Sequence, residues 1–187
     1  MEELIDVVDY YGVKTGIVKP KSMVIKDGDY HRAISILIMN SDDEILFQKR
    51  SAIKKVYPNL WSMFLKGHIK SGETVKDASI REIKEEIGVD VLPSELEYLY
   101  TIRDEKQVAD GVEKILFDTF LLVKDIALAD IKLNDEVSNV QFVTKDDAIY
   151  LIESNNPLLV PNKEDYSIML KYLKEKEYIK EKNCFRR

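Results

Sequence analysis

The order of apolar and polar positions predicts a first half rich in strands. Residues 33–39 are almost continuously apolar, which is typical of a strand covered on both faces. A cluster of turn residues at 40–43 and a second apolar run at 44–49 predict a hairpin. Shorter apolar runs, separated by glycines, predict two further strands within residues 1–30.

A helix is predicted from Thr74 to Ile87. Thr74 and Asp77 resemble a capping box in which Asp replaces the usual Glu, and Gly88 is placed to take the left-handed conformation that ends many helices. Three strands and two helices are predicted to follow, at 96–102, 114–123, 140–143, 144–152 and 163–182. The last helix is amphipathic, so we expect it to pack on the domain edge rather than to bind a partner.

Composition narrows the class of protein. The 187 residues contain no repeat and no linker rich in Gly, Pro or Ser, so residues 1–187 are expected to form a single domain. The net charge of −6 argues against binding to a nucleic acid polymer or an anionic membrane. The longest apolar run is far shorter than the roughly 20 residues of a membrane span.

Cysteine content and the first residues predict a cytoplasmic protein. The lone Cys184 excludes an intramolecular disulfide, and we expect it to be an incidental reduced thiol. The sequence starts Met-Glu-Glu, without the basic region of a signal peptide.

Three glutamates gather on one face of the predicted helix. Glu82, Glu85 and Glu86 fall within about 100° of one another at helical spacing. Glu73 adds a carboxylate at the helix entry, and Arg81 lies four residues before Glu85 and can orient it. A divalent cation reduces the repulsion between neighbouring carboxylates, and sites rich in oxygen ligands suit Mg²⁺ or Mn²⁺. Taken alone, the glutamates are also compatible with a solvated acidic face.

The wider spacing resembles the Nudix box, G-x5-E-x7-R-E-U-x-E-E-x-G-U, in which U is a bulky aliphatic residue. All nine fixed positions are met, by Gly67, Glu73, Arg81, Glu82, Ile83, Glu85, Glu86, Gly88 and Val89. The resemblance implies a Nudix fold, an α/β/α sandwich with a mixed sheet and a loop-helix-loop motif. It also implies Mg²⁺-dependent hydrolysis of a nucleoside diphosphate linked to another group, so the expected partner is a small-molecule pyrophosphate.

The resemblance implies a role for each charged position of the box. Glu82 and Glu86 would be the principal metal ligands. Glu85 would be a further ligand or would orient the attacking water. Arg81 and Glu73 would hold the carboxylates in place.

Two further contributions are implied outside the helix. The backbone carbonyl of Lys66 or Gly67 is a candidate metal ligand. Family members often use an acidic residue from a later loop, a few residues before an aromatic position. Glu136 matches this better than its neighbour Asp135, although a solvated loop carboxylate is the alternative. The general base stays open between Glu136 and Glu85.

Residues upstream of the box resemble the Nudix branch that includes isopentenyl diphosphate isomerase. His31 and His68 match two histidines that the isomerase uses around its metal, although a lone His is more often structural. The isomerase needs a cysteine immediately before the glycine that matches Gly67, and this chain has Lys66 there. The box is also intact, whereas that of the isomerase is usually degenerate. Hydrolysis is therefore favoured, with isomerase activity and a non-catalytic nucleotide-binding module as alternatives.

Substrate contacts are less well defined than the box. The basic run at 49–55, which includes Arg50 and Lys54, is either a phosphate contact or a solvated loop. Arg50, Lys66 and His68 are the candidates for binding substrate phosphate. No residue flanking the box identifies the substrate, because substrate-reading residues lie on variable loops. A homodimer formed through the first strands and the last helix is left open.

Overall fold

The computed structural model describes the backbone of residues 2–184 and the side chains of residues 2–162 and 164–175, so the Cys184 thiol lies outside the described part. The strands are β1 (Leu4–Val8), β2 (Lys14–Pro20), β3 (Tyr30–Met39), β4 (Glu44–Arg50), β5 (Trp61–Ser62), β6 (Phe64–His68), β7 (Leu96–Val108), β8 (Gly111–Val123) and β9 (Val137–Thr144). The helices are α1 (Lys21–Asp27), α2 (Val75–Ile87), α3 (Lys145–Glu153) and α4 (Lys163–Cys184).

The strands form one mixed sheet centred on β3. This strand pairs in parallel with β8 from Tyr30↔Lys114 to Met39↔Val123, and antiparallel with β1, β4 and β6. The predicted hairpin of β3 and β4 is confirmed, and all residues of β3 from Ala33 onward are buried. The sheet thus brings β6 and β8 to opposite sides of the strand that carries His31.

Helices cover both faces of the sheet, which confirms the α/β/α sandwich. On one face, Ile83 and Ile87 of α2 pack with Ile34 and other apolar residues of the central strands. On the other face, Met169 and Leu173 of α4 are fully buried in a second cluster. The prediction that the last helix packs on the domain is therefore correct.

The ends of α2 match the sequence prediction. The Thr74 hydroxyl accepts a hydrogen bond from the Asp77 backbone N–H, and the Asp77 carboxylate accepts one from the Thr74 N–H. Gly88 takes a left-handed conformation, with φ of 75°. These local signals place the helix, and with it the glutamates, in a defined register.

Other elements differ from the prediction. The helix α1 and the strands β5 and β6 were not predicted, because short elements carry too little periodic signal. Strands β7 and β8 extend beyond the predicted ends to Val108 and Gly111 and form one long hairpin. Among residues 2–184, no helix has the length and apolar character that crossing a bilayer requires.

Candidate functional site

The backbone of β6 at Gly67 lies directly against the Glu82 side chain of α2. A Cβ atom added to Gly67 would lie 2.1 Å from Cδ of Glu82 and 2.4 Å from its Cγ. Glycine is therefore the residue that lets the Glu82 side chain lie directly on the β6 backbone. This contact explains physically why the motif needs glycine here, six positions before Glu73.

Arg81 binds the carboxylates of the motif together. Its Nε and Nη2 donate to the two oxygens of Glu73 at 2.6 and 2.9 Å, a bidentate pair. Its Nη1 donates to Glu82 at 2.6 Å and to Glu85 at 3.2 Å. Nη2 also donates to the backbone carbonyl of His68 at 2.9 Å, which ties α2 to the end of β6. The holding role expected for Arg81 and Glu73 has this geometry as its support.

Glu86 is the buried carboxylate of the group. It is 5% exposed, and its Oε2 has no hydrogen-bond partner among the side chains that the structure describes. Burial, together with the charges of Glu82 and Glu136, raises the pKa of Glu86 to about 8. An orphaned carboxylate oxygen beside two further carboxylates is a donor set that a hard divalent cation fits. The residues therefore suit Mg²⁺ or Mn²⁺.

Glu82 and Glu85 differ in their exposure to solvent. Glu82 is mostly buried, and burial raises its pKa against the opposing effect of Arg81. Glu85 is half-exposed and also lies 3.9 Å from the ammonium of Lys70. Glu82 and Glu86 thus form the inner part of the site, and Glu85 forms its rim.

The later loop brings Glu136 to the same site. β4 and β9 pair up to Arg50↔Val137, so the residues that follow β4 meet those that precede β9. The Glu136 carboxylate is 2.6 Å from the ammonium of Lys54. Its charge also acts on Glu86, as noted above. Asp135, the neighbour, is exposed.

Arg50 faces the same carboxylates from the start of the loop. Its Nε and Nη2 donate to the backbone carbonyl of Val56 at 3.0 and 2.8 Å, which shapes the 51–60 loop. Burial lowers the pKa of Arg50, and the nearby charges of Glu86 and Glu136 oppose that shift. Arg50 is therefore part of the wall of the site.

Lys66 and His68 lie on the other face of the sheet. Because side chains alternate along β6, Lys66 and His68 share the face of Phe64, whereas Gly67 faces α2. The Lys66 ammonium is 2.6 Å from Asp165 of α4 and 4.1 Å from the centre of the Phe117 ring. The structure does not bring these two predicted phosphate contacts together with the glutamates of α2.

His68 belongs to a second cluster, with His31 and Glu113. One ligand atom from each of the three lies within 4.8 Å of the others, and the two imidazoles stack with centroids 5.3 Å apart. Within the described chain, His68 Nε2 and both His31 ring nitrogens are buried without a hydrogen-bond partner of good geometry. Burial lowers the pKa of both imidazoles, which favours the neutral form that binds metals. The cluster could hold a cation with nitrogen and oxygen ligands.

Glu113 was missed by the sequence analysis. It joins the two histidines because β8 lies parallel to β3 with His31 opposite Ile115, and Glu113 shares the face of Ile115. The sequence offers no local signal for that register.

Comparison with known proteins identifies relatives of the chain. A family model described as the NUDIX domain matches residues 29–164. Nudix hydrolase 3 of Arabidopsis thaliana is 32% identical over 166 residues, covering 86% of this chain and 22% of that protein. An isopentenyl-diphosphate Delta-isomerase of Escherichia coli is 33% identical over 87 residues, covering 46% of this chain and 48% of the isomerase.

A solved structure shares the fold. The crystal structure of DR0079 from Deinococcus radiodurans superposes with a TM-score of 0.66 at 15% identity, covering 92% of this chain and 98% of that one. The chain spans about a fifth of the length of the Arabidopsis relative and about half of that of the isomerase.

Proposed function

The chain belongs to the Nudix hydrolase family, and from this premise we propose that it hydrolyses a pyrophosphate bond in a nucleoside diphosphate linked to a second group. We propose Mg²⁺ as its cofactor, with Mn²⁺ as the alternative. The observation that carries this proposal is Glu86, a buried carboxylate beside Glu82 whose Oε2 has no partner among the described side chains and whose pKa responds to Glu136. We further infer that the chain acts as one domain, because β1 adds to the central sheet and α4 packs into its core.

Each residue of the α2 group has a separate task in this proposal. Glu82 and Glu86 would hold the cation, while Arg81 and Glu73 fix Glu82 in place. When bound, a divalent cation offsets charge on the pyrophosphate and makes water a stronger acid. The protein's own contribution is then the positioning of water, phosphate and base.

We assign the general base to Glu136 rather than to Glu85. Glu85 shares Arg81 with two other carboxylates and also lies near Lys70. Glu136 approaches from a different loop, where its one charged contact in the described chain is Lys54. A carboxylate that reaches the site from outside α2 can take the proton of the attacking water without disturbing the ligands.

Isomerisation of isopentenyl diphosphate is a second candidate activity. It is favoured by the His31, His68 and Glu113 cluster and by the similarity to the Escherichia coli isomerase. Lys66 opposes it, because an ammonium paired with Asp165 takes the place of the thiol that the resemblance requires. Formation of a dimethylallyl product with Mg²⁺ or Mn²⁺, followed by NMR, would replace the hydrolase assignment.

The test is turnover of a panel of pyrophosphates by the purified chain with Mg²⁺. The panel holds ADP-ribose, nucleotide sugars, dinucleoside polyphosphates and nucleoside triphosphates. Glu86→Gln is expected to lower kcat by about a hundredfold or more and to weaken Mg²⁺ binding in calorimetry. The control is Glu97→Gln, which makes the same chemical change at an exposed position of β7. It should behave as wild type.

Two outcomes would contradict this proposal. Full turnover by Glu86→Gln would remove α2 as the cation site. Binding of nucleotides by the wild type, with no hydrolysis across the panel, would favour a non-catalytic nucleotide-binding module instead.

A further inference from the structure

Lys54 and Glu136 join two loops at the edge of the proposed site. The Lys54 ammonium lies 2.6 Å from Oε2 of Glu136. The Ser51 N–H donates to the backbone carbonyl of Glu136 at 2.8 Å, so the 51–60 loop and the turn before β9 are held together by the main chain as well. The ion pair is therefore not needed to keep these loops adjacent.

The pair faces the proposed cation ligands. Besides burial, the pKa of Glu86 responds to both partners, raised by Glu136 and lowered by Lys54. The pair of Lys54 and Glu136, which the pairing of β4 with β9 brings to the end of β4, thus acts electrostatically on the carboxylate that would hold the cation. A pyrophosphate bound to that cation would therefore meet the charge of the Lys54 ammonium at the edge of the site.

Lys54 differs from Arg50 in its freedom to change partner. The Arg50 guanidinium donates twice to a backbone carbonyl that shapes its own loop. Lys54 contacts a carboxylate that is 51% exposed, and exposed ion pairs are weak. A phosphate carries more charge than a carboxylate and accepts stronger hydrogen bonds, so it competes well for such an ammonium.

We propose that Lys54 changes partner when substrate binds, from the Glu136 carboxylate to a phosphate oxygen of the pyrophosphate. This inference rests on the proposed function and adds a binding residue to it. The exchange frees Glu136 to act as base. Its carboxylate takes one proton from water, the water oxygen forms a bond to phosphorus, and the bridging P–O bond breaks with its electron pair leaving on the departing phosphate.

The exchange predicts opposite effects of removing the two partners. Without Glu136, the Lys54 ammonium is available at all times, so Glu136→Gln should tighten the binding of inorganic pyrophosphate while lowering kcat. Lys54→Met should weaken the same binding. A purely structural ion pair would make the two variants alike, because either one breaks it.

The experiment measures the affinity for inorganic pyrophosphate with Mg²⁺ by calorimetry on the full chain. We expect a loss of about tenfold in Lys54→Met, a change within about threefold in Lys54→Arg, and a gain of about two- to fivefold in Glu136→Gln. Lys124→Met is the matched control, because Lys124 forms a comparable pair with Glu95 at 2.7 Å and is 30% exposed against 27% for Lys54. It should leave the affinity unchanged.

Kinetics on the best substrate provide the second readout. Lys54→Met should raise KM more than it lowers kcat, whereas Glu136→Gln should lower kcat without raising KM. Equal weakening of pyrophosphate binding by both variants, no change in either, or no binding by the wild type would overturn the exchange. Failure of the wild type to hydrolyse any substrate would instead remove the proposed function, and the calorimetry would still decide whether Lys54 binds phosphate.

Discussion

The two faces of the sheet treat a buried carboxylate in opposite ways. On the α4 face, Asp165 is fully buried and satisfied, since Lys66, Asn162 and Tyr100 all donate to it. On the α2 face, Glu86 is nearly as buried but keeps an oxygen that has no partner within the described part of the chain, side chains 2–162 and 164–175. Folding satisfies buried polar groups wherever it can, so the matched carboxylate indicates a structural role and the unmatched one indicates a ligand site.

The largest stability effect is expected on the matched face. Asp165→Ala removes a buried acceptor and leaves the Lys66 ammonium beside the Phe117 ring without its carboxylate. We expect a loss of about 3 kcal/mol in the free energy of unfolding, measured with urea, because breaking a buried pair strands its partner. Glu164→Ala, at the exposed adjacent position, is the control. A loss below about 1 kcal/mol would mean that the Asp165 contacts are not a structural anchor.

The next largest effect is expected from a substitution at Gly67, where β6 lies against Glu82. In Gly67→Ala the new methyl group would overlap Glu82, so the carboxylate must move away from the β6 backbone. Displacing Glu82, a proposed ligand, is expected to lower Mg²⁺ affinity and kcat by about 10- to 100-fold. Gly72→Ala, where an added Cβ meets no atom within 4 Å, controls for the loss of a glycine, although its positive φ carries its own strain. Unchanged Mg²⁺ affinity in Gly67→Ala would remove Glu82 from the ligand set.

The unmatched carboxylate of Glu86 should also make the stability of the metal-free protein depend on pH. The pKa of Glu86 is raised to about 8 in the folded chain, so the folded state holds a proton that the unfolded state releases near pH 4.5. Its contribution therefore favours folding at low pH and is lost as the pH rises towards 8. Between pH 6 and 8, with EDTA, wild type should lose about 2 kcal/mol relative to Glu86→Gln. Parallel pH profiles of the two proteins would contradict this account of Glu86.

The sequence was most informative where structure is local. The capping box, Gly88 and the helical spacing of Glu82, Glu85 and Glu86 are all set within α2, so their prediction needed no tertiary information. Glu136 was predicted from the family resemblance, as an acidic residue of a later loop a few residues before an aromatic position. The structure then placed it near Glu86 through the pairing of β4 with β9.

Contacts between residues far apart in the sequence could not be predicted from local patterns. Lys66 meets Asp165 over 99 positions of sequence, and no periodic pattern encodes that pairing. Glu113 reaches His31 only through the parallel register of β3 and β8, which side-chain alternation alone does not define. Lys66 and Gly67 are neighbours in sequence, yet they serve opposite faces because strand residues alternate.

The smallest effect is expected at the group of His31, His68 and Glu113. It decides whether all buried polar groups on the α4 face have a structural role. If His31, His68 and Glu113 bind a cation, Zn²⁺ at about five times its Kd should raise the unfolding free energy by about 1 kcal/mol. His31→Phe, which keeps a ring against His68, should abolish that gain, whereas Glu86→Gln should retain it. Co²⁺ spectra of the two variants would report the ligands directly. If instead Glu86→Gln loses the gain and His31→Phe keeps it, Zn²⁺ binds at α2. The buried imidazoles would then be packing groups whose unmatched nitrogens, unlike the unmatched oxygen of Glu86, mark no ligand site.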